Sequence, residues 1–330
     1  MFTSIVQFGV SAAIVMIAGG YLTRASDALG DRLRLGRSLA GMVLLAGATS
    51  LPELATGGSA ALMGAVNLSA GDLLGSSLMN LLLLALLDMT HYARGRMFSR
   101  EASANALVAG ASIVLTALVL LLILLRIEWS LFNWVSIGSA ALLITYGLLL
   151  RLIFLQQRVV RAETGQSEVL EESGRSTRHL VLVYAVAAAA ILAAVPFLTD
   201  AAKQLAEQTG LGQSFIGTTL VALTTSLPEM VTTLTAVRLR AFDLAVGNIF
   251  GSNVLNMVIF APVDMLQAGP LFPLLSATHA ITAAWVILIT MVAVLGLLYQ
   301  AERRYWFLEP DATLVIVLIL TALTTMYFWS

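Results

Sequence analysis

Two short stretches decide how this chain folds: ATSLPELAT at residues 48–56 and TTSLPEMVT at residues 224–232. Each places a proline beside a glutamate inside an otherwise apolar region. Proline lacks the backbone N–H that a helix interior needs, and an unpaired acid in an apolar region is costly. Because the chain carries this combination twice, we expect a purpose for it beyond packing.

The composition indicates a membrane protein. The chain has 330 residues, of which 59% are hydrophobic and 11% are charged, and its mean hydropathy is +0.91. Soluble domains average about 25% charged residues. The formal net charge of −1 and the lack of a basic block argue against a nucleic-acid partner. The chain has no cysteine, which excludes disulfides and thiolate metal sites.

Apolar runs of about 20 residues are typical of transmembrane helices. Here they predict an all-α polytopic membrane protein with ten transmembrane helices, whose first run is a retained helix and not a signal peptide. The spans are expected at 4–28, 38–66, 70–89, 103–125, 130–156, 179–206, 213–237, 243–265, 273–299 and 311–329. A polar insertion divides the chain into residues 1–156, a cytoplasmic linker at 157–178, and residues 179–330.

The basic residues predict the orientation. Of the 18 Lys and Arg residues, all but Arg126 and Lys203 fall in the connections that follow odd-numbered spans or near the ends of those spans that lead into them. Because cytoplasmic connections carry the excess of Lys and Arg, both termini are expected outside and the linker in the cytoplasm. We expect a prokaryotic inner membrane, with the lipid bilayer and small cations as partners and with no oligomer required.

The two halves contain an internal repeat, in which Glu229 follows Glu53 by 176 residues. At this spacing the Thr-Ser-Leu-Pro-Glu block recurs, together with the pairs Gly36/Gly212, Ser38/Ser214, Gly41/Gly217, Gly71/Gly247, Gly75/Gly251, Ser76/Ser252, Asn80/Asn256 and Asp88/Asp264. A unit of five spans is odd, so the second copy is inverted in the membrane. Inverted repeats with broken helices and a site between them are typical of secondary transporters.

Each proline is expected to free the carbonyl four residues before it, and hydroxyls flank each break at Thr49 and Ser50 and at Thr225 and Ser226. A second polar element follows each break, GDLLGSSLMN at 71–80 and GNIFGSNVLN at 247–256. All of these groups are hard oxygen ligands with no histidine or thiol beside them. Oxygen sites suit calcium, magnesium, manganese and sodium, so the sequence predicts a cation site in mid-membrane.

The paired motifs ATSLPE with GDLLGSSLMN and TTSLPE with GNIFGSNVLN resemble the α-repeats of the sodium/calcium exchanger family. The resemblance covers spans two, three, seven and eight and implies alternating-access exchange of calcium against sodium. It places the ion ligands at Thr49, Glu53, Ser76, Asn80, Thr225, Glu229, Ser252 and Asn256, with carbonyls near Ala46 and Ala222. No cofactor is implied beyond the transported ions.

The chain departs from the family pattern in two respects. The first repeat has Asp72 and Ser77 where the second has Asn248 and Asn253. Asp72 either adds charge near the ion path or stabilises the first turn of span three as a helix N-terminal acid. Some relatives carry aspartate where this chain has Asn80 or Asn256, so two central acids remain.

Several alternatives stay open from the sequence. The same fold is compatible with proton coupling or with another divalent ion such as magnesium or manganese. An intramembrane aspartyl protease needs two facing aspartates, and the repeat equivalent of Asp72 is Asn248, so no enzyme is expected. A passive channel is the remaining class. Asp88 and Asp264 are expected to have a structural role near span ends, with an ion vestibule as the alternative.

Overall fold

The computed structural model describes residues 2–33, 35, 37–90, 105–131, 135–164, 176–208, 224–267, 269–299 and 310–329. The described chain is almost wholly helical. Its helices are α1 (Phe2–Arg32), α2 (Arg37–Ala40), a π-helical turn (Gly41–Leu45), α3 (Ala46–Thr49), α4 (Leu51–Leu62), α5 (Val66–Thr90), α6 (Asn105–Leu125), α7 (Ile137–Thr164), α8 (Thr177–Gln208), α9 (Leu227–Arg238), α10 (Phe242–Leu266), α11 (Ala277–Tyr299) and α12 (Pro310–Trp329), with a 3₁₀ turn at Phe272–Leu274.

Within the described ranges, seven helices are long and apolar enough to cross a membrane: α1, α5, α6, α7, α8, α10 and α11. The bent pair Arg37–Thr49 and Leu51–Leu62 makes an eighth span if it is counted as one. Helix α12 carries a shorter apolar stretch, Ala312–Met326. The all-α membrane fold is therefore confirmed, while the full number of ten spans stays a prediction because the seventh is described only from residue 224.

Span two is broken at Ser50, where the helix axis bends by 46°. Ser50 has φ −85° and ψ 3°, and Ser226 in the second repeat has φ −83° and ψ 2°. Pro52 and Pro228 each lie in the first turn of the helix that follows, where the missing N–H does no harm. The two breaks predicted from the sequence are thus present with nearly identical backbone geometry.

Helix α10 lies at the centre of the fold. Of its most apolar window, 89% is buried, against 28% for α1 and 22% for α7. It packs against the broken span and against α5, α6, α7 and α9. Close approach depends on glycine, because a Cβ added to Gly251 would lie 2.5 Å from the Cα of Met42, and one added to Gly247 would lie 2.5 Å from the Ser38 carbonyl oxygen.

Helices α1 and α8 pair along their length and carry much of the exposed apolar surface. The Arg32 guanidinium donates to the Thr177 hydroxyl (2.7 Å) at one end, and the Ser4 hydroxyl donates to Gln204 Oε1 (2.9 Å) at the other. On its inner side, the Thr23 hydroxyl of α1 donates to the Thr232 carbonyl of α9 at 3.3 Å. Helix α1 therefore contacts α9, the helix that follows the second break, directly.

The predicted start of span five at residue 130 is wrong. Residues Ser130–Leu131 (β1) and Val135–Ser136 (β2) pair as two short antiparallel strands, and α7 begins only at Ile137. The reason is tertiary, because the buried Asp264 carboxylate accepts hydrogen bonds from the Ser136 N–H (2.9 Å), the Ser139 hydroxyl (2.7 Å) and the Leu271 N–H (2.7 Å). These bonds agree with the structural role expected for Asp264.

Helix α7 also continues past residue 156, where the first five-helix unit was expected to end, and reaches Thr164. The expected linker at 157–178 therefore begins as helix, and residues 165–175 of it lie outside the described residues. The division of the chain into two units and a linker stays a prediction.

We predict that Gly251→Ala destabilises the protein, because the new methyl group meets backbone atoms of the broken span, which cannot move aside as a flexible side chain does. Overpacking of this kind costs about 1–3 kcal/mol. The measurement is the thermal unfolding midpoint in detergent, which should fall. Gly147→Ala on α7 is the matched control, since Gly147 is exposed and has no described atom within 4 Å of its Cβ position. Equal midpoints for the two variants would contradict the prediction.

Candidate cation site

The two breaks place the two glutamates in equivalent positions. Glu53 is the third residue of α4, Glu229 is the third residue of α9, and each is only 1% exposed. A carboxylate in the first turn of a helix is favoured by the positive end of the helix dipole. Glu229 and Asp72 are the charged groups that act electrostatically on Glu53. The structure therefore brings together the two acids that the repeat predicted.

Each break faces the opposite repeat. The Thr49 hydroxyl faces the Glu229 carboxylate of the second repeat. It donates to the Ala46 carbonyl of the first repeat at 3.3 Å. From the second repeat, the Ser226 hydroxyl donates to the hydroxyl oxygen of Ser76 in the first repeat at 3.5 Å. Groups from both halves of the chain therefore line one site, as the inverted repeat predicted.

Helices α5 and α10 cross beside the breaks through a polar cluster. Asn80 Nδ2 donates to Asn253 Oδ1 (2.9 Å), and Asn256 Nδ2 donates to the Ser77 hydroxyl oxygen (3.2 Å). These two bonds are equivalent under the repeat, since Asn80 pairs with Asn256 and Ser77 with Asn253. Asn253 Nδ2 adds a bond to the Ser77 carbonyl at 3.3 Å. The cluster fixes how the two predicted ligand amides are oriented.

Ser77 and Asn253 were absent from the predicted ligand set. The sequence did carry a signal for them, because each directly follows a predicted ligand, Ser76 or Ser252, at the same position of its repeat. What the sequence could not show is that each bonds the asparagine of the other repeat. That pairing depends on where two helices distant in sequence cross.

Thr56 and Thr232, which are also absent from the predicted ligand set, support the helix turns that carry the two acids. The Thr56 hydroxyl bonds the Pro52 and Glu53 carbonyls at 3.0 and 3.2 Å, and the Thr232 hydroxyl bonds the Pro228 and Glu229 carbonyls at 2.8 and 3.1 Å. Both threonines therefore act on the first turn that carries the acid. Because the same bonds occur in both repeats, the two acids are held in the same way.

The predicted site residues are almost all enclosed. Ten of them are buried: Thr49, Ser50, Glu53, Ser76, Asn80, Thr225, Ser226, Glu229, Ser252 and Asn256. Asp72 is half-buried at the edge of the site. The Ala46 carbonyl accepts hydrogen bonds from the Ser50 N–H at 2.9 Å and from the Thr49 hydroxyl. The helical backbone bond of Ala46 is therefore intact. Ala222 lies outside the described residues.

The oxygens of this site fit a hard cation. Within the described part of the chain, buried oxygens with no hydrogen-bond partner include Glu53 Oε2, both Glu229 carboxylate oxygens, Ser50 Oγ, Ser252 Oγ and Asn256 Oδ1. No group of three or more His, Cys, Asp or Glu side chains gathers there in metal-binding geometry. Neutral hydroxyl and carbonyl oxygens must therefore complete any coordination shell, and oxygen-only shells suit calcium and sodium better than zinc or copper.

Comparison with known proteins gives consistent matches. The profile of the family described as sodium/calcium exchanger protein matches residues 3–155 and 179–329. An uncharacterized membrane protein of Methanocaldococcus jannaschii is 23% identical over 284 residues, which cover 85% of this chain and 86% of that protein. The sodium/calcium exchanger MaX1 of Methanosarcina acetivorans is 30% identical over 128 residues, or 38% of this chain and 35% of that protein.

Among solved structures, that of the sodium-calcium exchanger NCX_Mj superposes with a TM-score of 0.72 at 20% sequence identity. The superposition covers 98% of this chain and 99% of that one. At this identity the likeness establishes the fold.

We predict that Ser77→Ala weakens calcium binding about tenfold without unfolding the protein, because Asn256 Nδ2 loses its acceptor and the amide is no longer oriented. Residues that orient ligands typically contribute about 10- to 100-fold in metal affinity. Isothermal titration with calcium in detergent measures the effect. Ser112→Ala on α6 is the matched control, since Ser112 is equally buried and its hydroxyl lies outside the site. Equal calcium affinities in the two variants would show that Ser77 does not orient a calcium ligand.

Proposed function

This chain belongs to the sodium/calcium exchanger protein family, and we propose that it is a secondary antiporter that exchanges calcium for sodium. The observation that carries the proposal is the pair of buried carboxylates, Glu53 and Glu229, presented by equivalent helix breaks from opposite repeats. The relative MaX1 is named a sodium/calcium exchanger, which supports the choice of ions.

In this proposal the two carboxylates neutralise one calcium ion and neutral oxygens complete its shell. Thr49 and Thr225 stand next to the acids, and the α5–α10 crossing contributes serine and asparagine oxygens. The full proposed set is Thr49, Ser50, Glu53, Ser76, Asn80, Thr225, Ser226, Glu229, Ser252 and Asn256, with the carbonyls of Ala46 and Ala222. Calcium commonly takes about 6–8 oxygen ligands, so neutral oxygens supply those that the two carboxylates do not.

Exchange follows from the free-energy cost of leaving the two buried carboxylates without a bound cation. A buried charge without a partner costs several kcal/mol, so the rearrangement that moves the site from one face to the other is favoured only when cations occupy it. Calcium carried one way must then be replaced by sodium before the site returns. The two inverted repeats supply two related arrangements between which such a transporter moves.

Proton coupling is the second candidate, because a buried carboxylate is neutralised by a proton as well as by sodium. The polar positions 80 and 256 carry asparagine, so this chain has two central acids to share among its ions. Exchange of another divalent ion, magnesium or manganese, uses the same oxygens and differs in the preferred cavity size.

We further propose that the protein lies in the inner membrane of a prokaryotic cell, with both termini outside. The support is the concentration of arginine in the odd-numbered connections. The seven apolar helices of the described chain agree with an integral membrane position.

The decisive experiment is uptake of radioactive calcium into proteoliposomes under an imposed sodium gradient or an imposed pH gradient. We expect uptake driven by sodium and uptake reduced at least a hundredfold in Glu53→Gln and Glu229→Gln, because each change removes one of the two compensating charges. Glu128→Gln is the matched control, since Glu128 is exposed in the connection before α7.

The outcomes separate the candidates. Uptake driven only by the pH gradient would show that protons, and not sodium ions, are exchanged for calcium. Uptake that needs no opposing gradient would indicate a channel. Unimpaired exchange in both glutamine variants would show that the site assignment is wrong.

A further inference from the structure

Asp72 has a position that its place in the sequence does not explain. Helix α5 begins at Val66, four residues earlier than predicted, so Asp72 is its seventh residue and lies in the second turn. The favourable effect of a helix N-terminus on an acid falls off within the first turn. Stabilisation of the helix end therefore does not account for an acid here.

Asp72 instead contacts both repeats. Its Oδ2 accepts from the Thr56 hydroxyl at 3.3 Å, and its Oδ1 accepts from the Thr225 hydroxyl at 3.5 Å. Thr225 belongs to the second helix break. Asp72 also acts electrostatically on both Glu53 and Glu229. A third carboxylate thus lies within electrostatic range of the two buried acids. Their carboxylate oxygens without hydrogen-bond partners, Glu53 Oε2 and both oxygens of Glu229, mark a site for positive charge.

The repeat equivalent of Asp72 differs in both charge and exposure. Asn248 is 0% exposed, and its Nδ2 donates to the Thr232 and Thr233 hydroxyls at 3.2 and 2.9 Å. The threonine contact is conserved between the copies, because Thr56 and Thr232 are equivalent. One copy therefore has a half-buried negative charge where the other has a fully buried neutral amide.

These two positions lie on opposite sides of the site. Residues 77–80 of α5 lie against residues 253–256 of α10, and Asn80 bonds Asn253 while Ser77 bonds Asn256, so the helices run antiparallel. At 1.5 Å per residue, Asp72 and Asn248 are each about 10 Å from that crossing along their own helices. Asp72 lies toward the connection at residues 63–65, and Asn248 toward the connection at residues 239–241.

We infer that Asp72 recruits the divalent cation on one of the two access paths, the path on the side of residues 63–65. A carboxylate at the partly exposed edge of a low-dielectric cleft raises the local cation concentration by about 10-fold or more. The equivalent position on the mirror path is the neutral Asn248, and the acid on that side, Asp243, lies in the first turn of α10 and accepts from Asn105 Nδ2 at 3.4 Å. The exchanger therefore takes calcium at lower concentration from the Asp72 side. This inference rests on the proposed function and adds a sidedness to it. The arginine pattern makes the Asp72 side the outer one.

The experiment measures the half-saturating calcium concentration separately at each face in proteoliposomes. Because the chain has no cysteine, Met63→Cys in the exposed connection allows one orientation to be blocked with a membrane-impermeant thiol reagent. We expect Asp72→Asn to raise the half-saturating concentration about tenfold on the 63–65 side and to leave the other side within about twofold. Asp72→Glu, which keeps the charge, should restore most of the difference.

A second readout uses wild-type protein alone. Raising the ionic strength with choline chloride from about 20 to about 300 mM screens exposed charges. It should raise the half-saturating concentration more on the Asp72 side than on the other. This comparison decides the matter even if Asp72→Asn fails to fold.

An equal rise on both faces in Asp72→Asn would make Asp72 a central ligand and overturn the inference, as would no change on either face. Equal salt dependence at the two faces of the wild type would overturn it as well. In each of these cases sodium-driven exchange by the wild type continues, so only the sidedness fails. If the wild type shows no exchange at all, the proposed function is wrong and this inference falls with it.

Discussion

The structure depends on one electrostatic constraint, namely that Glu53 and Glu229 are both buried within electrostatic range of each other in a membrane fold. Burial of an uncompensated charge costs several kcal/mol. Each acid lies at the start of a helix whose free N–H groups and dipole favour negative charge. That support is partial, and the unpaired buried oxygens around the acids indicate that a bound cation completes it.

Two sets of hydrogen bonds around the acids hold the two carboxylates in place. The threonines three residues after each acid bond its helix turn, and the Ser77–Asn256 and Asn80–Asn253 pairs join the two repeats through α5 and α10. Glycines let the broken span lie directly on α10. Because the Ser77–Asn256 and Asn80–Asn253 pairs and the glycine contacts link the two halves of the chain, a rearrangement of one half relative to the other changes both sides of the site together.

The breaks, the acids and their hydroxyl neighbours were predictable because an internal repeat marks them twice. The start of α7 was not predictable, because the strand pair before it is held by Asp264, which lies 128 residues away from Ser136 in sequence. The roles of Ser77 and Asn253 depend on the crossing of two helices, which apolar periodicity does not specify. The helix N-terminal role considered for Asp72 depended on a span boundary predicted four residues too late, since α5 begins at Val66.

The central claim is that one cation is held jointly by carboxylates of opposite repeats. Anomalous diffraction from crystals soaked in strontium, a heavier substitute for calcium, tests it most directly. The account predicts one dominant peak within about 2.6 Å of carboxylate oxygens from both Glu53 and Glu229. A peak that touches only one of the two glutamates, or that lies elsewhere in the protein, would contradict it.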